Sequence, residues 1–460
     1  MIKRALATHK TPFIIDDYSL NSVEIRNGHE IDIAPIDATF RDSRRAQLHS
    51  WFPYLEGYSP KFVERVKHEY LPDAKRILEP FAGSGTTPII LGQIGIECAY
   101  AEANPAMAFI IQTKLSVLRL TEKQRKSLSK KIINLAENLH DRVMLSSPNE
   151  DISDSYLATF KQSIFFDAPS LYDILRLRTL NDEVNDEERI VGDCLTLSIL
   201  ASLIPSSRLK RSGDLRFKTP KELLLGLPNP IDAVRERLLS QATDIVFARE
   251  LSARAHFACN TAVSLKDTVD GDWDGVITSP PYLNGTNYIR NARLELWYLR
   301  QIKTQSDIRR LRDIVITSGI NDVDAQTDWR PITEGVNFVV TELKEKAYDD
   351  RISKMVGGYF RDMSSVLLSL SACIKDGGRL CIDIGDSIYA GVHVPTDDLL
   401  VEVANNIGLH TLERIHLRKR TSKGGQPVRQ QLLVFEKRAT PIKNSHSKLI
   451  YEYISTAPHS

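Results

Sequence analysis

Residues 76–102 read RILEPFAGSGTTPIILGQIGIECAYAE, and the fold class turns on this stretch. Arg76-Ile77-Leu78 enters a turn rich in Gly, Pro and Ser, residues 88–94 are apolar at helical density, and Gly95 stops them. A second apolar run, IECAYAE over 96–102, follows. Short apolar runs bounded by turn residues read as buried strands, and strand–helix–strand order is a βαβ unit.

Open α/β sheets bind ligands at the carboxyl ends of their strands. Here that place holds Glu79-Pro80-Phe81-Ala82-Gly83-Ser84-Gly85-Thr86-Thr87. Gly83 and Gly85 allow a sharp turn and a close backbone approach to a ligand. The loop lacks a third glycine in the dinucleotide position and the lysine of a P-loop, which disfavours a nucleoside triphosphate. One strand later come Glu102 and Asn104-Pro105, and a carboxylate there is placed to accept hydrogen bonds from a ribose diol. A glycine turn followed by a helix-capping glutamate would carry the same letters, so these residues alone leave both readings open.

Upstream, Phe62, Val63, Val66 and Tyr70 share one face of a helix over 61–70, which Pro72 ends. Downstream, residues 106–250 are mostly helical in pattern. Strands return at 256–259 and 274–278, and 284–346 is mixed. An amphipathic helix carries Met355, Tyr359, Met363, Val366, Leu367 and Leu370 on one side. Asp376-Gly377-Gly378 turns it into a strand over 379–385, 399–406 is a further helix, and strands over 410–417 and 431–436 form a closing hairpin. The pattern is an open α/β sheet with an antiparallel edge. The interruptions 106–250 and 284–346 are too long for ordinary crossovers and read as an inserted helical domain and a smaller insertion.

The strand over 274–278 runs directly into Ser279-Pro280-Pro281-Tyr282. Successive prolines stiffen the chain in an extended form. An exocyclic amine offers two N–H donors, which the Ser279 hydroxyl and the Pro280 carbonyl can accept, while Tyr282 stacks on the ring. A proline-stiffened turn with a packing tyrosine is the plainer alternative. Tyr288, Arg290 and Trp297 follow closely and are candidates for lining a path to the tetrad, although Trp297 reads better as helix core.

Bulk properties exclude some classes. Hydrophobic residues make up 42% of the 460 and charged residues 26%, and the net charge is +1. No global field marks a polyanion partner, so a nucleic-acid binder would concentrate its basic residues locally. Residues 206–221, SSRLKRSGDLRFKTPK, do so with Arg208, Lys210, Arg211, Arg216 and Lys218, and the stretch expected to be a loop between Arg414 and Arg429 adds Arg418, Lys419, Arg420 and Lys423. Such runs are usually solvated surface; beside a base-modifying site they become candidates for phosphate contact. The apolar runs are too short for a membrane span, the N-terminus has no secretory h-region, and five dispersed cysteines without a C-x-x-C pair read as buried, reduced thiols of a cytoplasmic protein with no metal site.

With both motifs in view, the chain resembles the amino-group DNA methyltransferases of bacterial modification systems. Phe81, Gly83 and Gly85 match their F-x-G-x-G loop, and residues 279–282 match their S/D/N-P-P-Y/F tetrad. The resemblance covers three blocks, 51–110, 256–300 and 355–437. It implies a Rossmann-like methyltransferase sheet and S-adenosylmethionine as cofactor. Glu79, Gly83, Ser84, Gly85 and Thr86 would hold its methionine part, Glu102 its ribose and Asn260 its adenine, with Phe81, Ala82 and Asn104 as further cofactor-binding residues. Residues 52–63, with Tyr58, resemble the remaining cofactor motif, with Gly57 where relatives often carry lysine.

A serine at the head of the tetrad is more typical of the cytosine-N4 branch. A glycine loop that precedes the tetrad is commoner among adenine-N6 enzymes. The expected reaction is methyl transfer to the N4 amine of cytosine in double-stranded DNA, with base flipping, in a restriction–modification system and alongside a cognate endonuclease. Adenine-N6 or RNA-amine methylation and a non-catalytic DNA-binding subunit are the alternatives. The expected organisation is an N-terminal arm (1–50), a methyltransferase domain (51–110 and 251–440), a helical target-recognition insertion (111–250), a smaller insertion (300–346) and a tail (441–460).

Overall fold

The computed structural model describes residues 25–26, 29–30, 37–39, 46–54, 57–161, 163–283, 286–324, 327–422 and 424–438. The chain divides into two units, Met1–Ile33 and Ala34–Ser460. In the first, Ile25–Arg26 and His29–Glu30 pair as antiparallel strands. The second carries everything that follows. The expected tail lies outside the described residues, as does most of the expected arm. Leu48 and His49 of that arm are buried in the second unit, and the indole of the adjoining Trp51 donates to Asp244 at 2.9 Å.

Seven strands form the central sheet: β1 (Arg76–Glu79), β2 (Glu97–Ala101), β3 (Ala255–Cys259), β4 (Trp273–Thr278), β5 (Ile374–Gly385), β6 (Leu409–Thr421) and β7 (Pro427–Lys437). Their order is β6-β7-β5-β4-β1-β2-β3. β3, β2, β1, β4 and β5 are parallel neighbours, and β7 runs antiparallel to both β5 and β6. The chain builds outward from β1 through β2 to β3, then returns to the other side of β1 with β4. The strand order therefore reverses between β1 and β4, which is where open α/β sheets bind ligands.

Local sequence explains these elements. Helix α1 (Pro60–Tyr70) starts where the Ser59 side chain accepts from the Phe62 amide and Pro60 takes the first turn, and it buries Phe62, Val63, Val66 and Tyr70. Helix α2 (Thr86–Gln93) begins two residues before its expected start and is buried on nearly every face. Helix α3 (Pro105–Leu118) is capped by Asn104, whose side chain accepts from Ala106. Gly275 in β4 has no room for a side chain, since a Cβ would come within 2.5 Å of both the Arg379 carbonyl and Leu71. The long helix α4 (Arg351–Cys373) packs its apolar side under β4 and β5, burying Met355, Tyr359, Met363 and Val366.

Between α3 and β3 the chain is helical apart from a hairpin, Leu209–Ser212 with Asp214–Phe217. This stretch belongs to the same compact unit as the sheet. Trp297 is fully buried against it, its ring 5.2 Å from Tyr156 and its indole N–H on the Ile152 carbonyl. Its core reading holds.

The basic stretch near the C-terminus differs from expectation. Arg414, Arg418, Lys419 and Arg420 lie in strand β6, not in a loop, because the β6–β7 ladder continues to Thr421↔Pro427. Alternate residues of a strand face opposite sides, so a run of charges on a half-exposed sheet edge looks loop-like in sequence. All five cysteines are buried and free, and no helix among the described residues is long and apolar enough to cross a membrane.

Candidate functional site

The turn after β1 is shaped by two left-handed glycines, Gly83 (φ 53°) and Gly85 (φ 92°). A Cβ on Gly83 would stand 3.0 Å from the Tyr54 ring, and one on Gly85 would stand 2.9 Å from Ile111. Glu102, at the end of β2, grips the turn: one carboxylate oxygen accepts from the Gly83 amide at 2.7 Å and the other from the Asn104 amide at 2.8 Å. Burial raises the Glu102 carboxyl to about 7, against the pull of those two amides.

Glu79 plays a different part. It is buried behind the cleft wall, accepting from the Tyr58 hydroxyl at 2.6 Å, from the Phe81 amide at 3.0 Å and from the Thr278 hydroxyl. Burial raises its carboxyl above the usual range while these donors counteract. It thus ties the end of β1, the segment before α1 and the end of β4 into one piece.

Ser279, Pro280, Pro281 and Tyr282 leave the end of β4, one strand from the glycine loop. The Tyr282 hydroxyl lies near Ser279 and near the carboxyl of Asp383 on β5. Asp383 is buried, with both carboxylate oxygens accepting from the Gln430 amide at 2.8 and 2.9 Å. Burial pushes its carboxyl up to about 6. Arg418 donates to Gln430 at 2.7 Å, and the Arg420 guanidinium stands 5.0 Å from the centre of the Tyr282 ring. Behind the tetrad, the Leu283 carbonyl accepts from the hydroxyls of Ser387 and Tyr389.

One cleft of about 430 Å³ joins these groups. Of the residues expected from sequence, Tyr58, Phe81, Ala82, Gly83, Ser84, Thr86, Glu102 and Asn104 line it, as do all four tetrad residues together with Tyr288, Arg211, Arg418 and Arg420. Gly85 lies against Ile111, and Glu79 lies behind the wall. Asn260 is a correction. It is exposed, and Thr261 and Ala262 line the cleft in its place. The Cys259 carbonyl accepts from the Glu102 amide, which continues the β2–β3 ladder up to Asn260.

The basic hairpin is also more self-contained than its sequence implies. Arg211 donates to the buried Glu295 and to the Pro53 carbonyl, Lys210 and Arg216 both pair with Glu222, and Lys218 holds the carbonyls of Pro205 and Ser207. Arg208 is half-buried, Lys419 is exposed, and Lys423 lies outside the described residues. Sequence reasoning missed Asp383, Gln430 and the buried Lys114 of α3. For Asp383 and Lys114 the available signal was a lone charge inside an apolar run, since charged residues are rarely buried without a partner; Gln430 offered none.

No protein-family model matches the chain, and no solved structure does. Among curated proteins, it is 23% identical over 435 residues to the Type II methyltransferase M.BsoBI of Geobacillus stearothermophilus, covering 85% of this chain and 84% of that protein. It is 23% identical over 405 residues to the Type II methyltransferase M.AvaI of Nostoc sp., covering 81% of each. It is 20% identical over 375 residues to the Type II methyltransferase M.MvaI of Kocuria varians, covering 76% of this chain and 79% of that one. Over at least three quarters of its length, then, the chain is similar to proteins named Type II methyltransferases.

Proposed function

We propose that this protein transfers a methyl group from S-adenosylmethionine to the exocyclic N4 amine of cytosine in DNA, within a restriction–modification system that includes a cognate endonuclease. The observation that carries the reading is the convergence of the glycine loop and the Ser279-Pro280-Pro281-Tyr282 tetrad in one cleft, from adjacent parallel strands.

The cofactor fits the residues present. The left-handed turn at Gly83 brings the loop backbone to the cleft wall, where a Cβ would press on the Tyr54 ring, and the half-buried Glu102 offers the remaining lone pairs of its carboxylate to a ribose diol. Phe81, Met107 and Ala262 supply apolar wall. When bound, S-adenosylmethionine supplies an activated methyl group. The chain's own work is to hold the amine in line and to take its proton. The Ser279 hydroxyl and the Pro280 carbonyl accept the two N–H bonds, which favours the tetrahedral nitrogen needed for attack. Asp383 lines the same cleft near Tyr282, and its carboxylate takes the proton that leaves the methylated amine.

DNA enters as a duplex with the target base flipped, because the amine cannot reach the cleft from within the stack. Base readout falls to the helical segment 111–250 and to 300–346, with Lys210, Lys419 and Arg420 as phosphate contacts. The placement of the glycine loop before the tetrad favours adenine-N6 methylation as a second reading.

Mass spectrometry of nucleosides from DNA and RNA incubated with the protein and labelled cofactor separates the readings. N4-methylcytosine in DNA is expected, with Ser279→Ala lowering kcat on the order of 10²-fold. N6-methyladenine would give the second reading the field. No transfer to either polymer would overturn both.

A further inference from the structure

Helix α3 contains one ionisable residue in fourteen, Lys114, in the run PAMAFIIQTKLSVL. Its side chain is wholly buried, and the ammonium donates to the Ser84 carbonyl at 2.9 Å. Among the described residues it forms no ion pair. Burial pulls the lysine down to about 7, and the nearby buried His49 is held at about 3 by its own burial and then by the Lys114 charge. A buried amine of this kind is costly, and a methionine would fill the same volume without that cost. What the lysine provides over methionine is its bond to Ser84.

That bond completes a clasp. Glu102 takes the Gly83 amide, Lys114 takes the Ser84 carbonyl, and Ile111, one turn earlier on α3, packs against Gly85. Three successive loop residues are therefore held by the end of β2 and by the helix that follows it. Ser84 itself is buried and lines the cleft.

We propose that Lys114 is a positioning residue for the cofactor loop, holding the Ser84 carbonyl so that the turn keeps its ligand-binding shape before the ligand arrives. This rests on the reading of the cleft as an S-adenosylmethionine site. Lys114 acts through Ser84 and touches no reacting atom, so the loss on its removal is shared by the sulfonium cofactor and its demethylated product. Affinity is lost because the loop must then be ordered at the moment of binding.

The test is calorimetric titration of S-adenosylmethionine and S-adenosylhomocysteine into the wild-type protein, Lys114→Met and Lys114→Gln, with thermal unfolding of each. Lys114→Met is expected to bind both ligands at least ~10-fold more weakly while unfolding at the same or a higher temperature, because a buried charge has been removed. Lys114→Gln, which keeps a donor without the charge, is expected to recover part of the affinity. Unchanged affinity in Lys114→Met would overturn the proposal and leave the cofactor site standing. Equal losses in both variants with a lowered unfolding temperature would make Lys114 a packing residue and overturn it too. Failure of the wild-type protein to bind either ligand would overturn the cofactor reading and this proposal with it.

Discussion

Two carboxylates with opposite neighbourhoods illustrate how single residues set the chemistry of the cleft. Glu102 and Asp383 are both raised by burial, to about 7 and about 6, yet one is braced by backbone amides and the other by Gln430 and Tyr282. Under the proposed reading a ribose hydroxyl would donate to the ionised form of Glu102, so that cofactor binding would compete with its proton. Cofactor affinity is expected to fall as pH drops below about 7, and Glu102→Gln should bind weakly with a flat pH profile; titration calorimetry from pH 6 to 8 checks this. Asp383 can take the amine proton only when ionised, so kcat is expected to rise with pH through about 6. Asp383→Asn should lower kcat with little change in KM and remove that limb from the profile, as single-turnover assays would show. Neither effect is legible in composition, because each depends on what burial has done to an ordinary carboxyl.

The glycine loop acts as an element rather than as a set of ligands. Its two left-handed residues are needed for different reasons: Gly83 makes room beside Tyr54, while Gly85 starts α2 and presses on Ile111 of α3. Gly85→Ala would combine a left-handed backbone with a 2.9 Å contact to a buried, branched side chain. The expected cost is about 1–2 kcal/mol from the backbone alone, with further loss from the contact. Denaturant unfolding should therefore show lowered stability, and cofactor binding should be lost in step with the loop's shape. The strand β6 is the converse case. Successive residues face opposite sides of the sheet edge, so Arg418 and Arg420 both reach the cleft while Lys419 between them is exposed.

Across the whole molecule, net charge says little and the placement of charge says more. Lys419 is exposed beside two arginines of the cleft, whereas Lys218 uses its ammonium on the carbonyls of Pro205 and Ser207. Lys419→Gln is expected to weaken DNA binding uniformly across sequences and to reduce the salt slope by about one unit, read from binding isotherms at several salt concentrations. Lys218→Gln should leave that slope unchanged and lower the unfolding temperature. An equal slope change in both would mean that the sequence runs, and not their folded partners, predict the contact surface.

Much of this was legible in the linear chain because it is local. Strand–turn–helix patterning around residues 76–102, proline stiffening at 279–282 and glycine positions at 83 and 85 depend on neighbours in sequence, and the fold carries them within a residue or two of those positions. The failures share a cause. Asn260 is exposed while Thr261 and Ala262 line the cleft, a difference set by where the end of the strand meets the neighbouring β2. Arg211 and Lys218 carry charges that distant or hidden acceptors neutralise, and Asp383 and Lys114 gain importance only through burial. The sequence by itself determined the α/β class, the glycine turn and the tetrad, since backbone preference and hydrophobic period are short-range properties. Only the tertiary structure decided which charges face the cleft, which are used internally, and which carboxyls hold their protons, because desolvation and pairing are set by residues that meet only when the sheet closes.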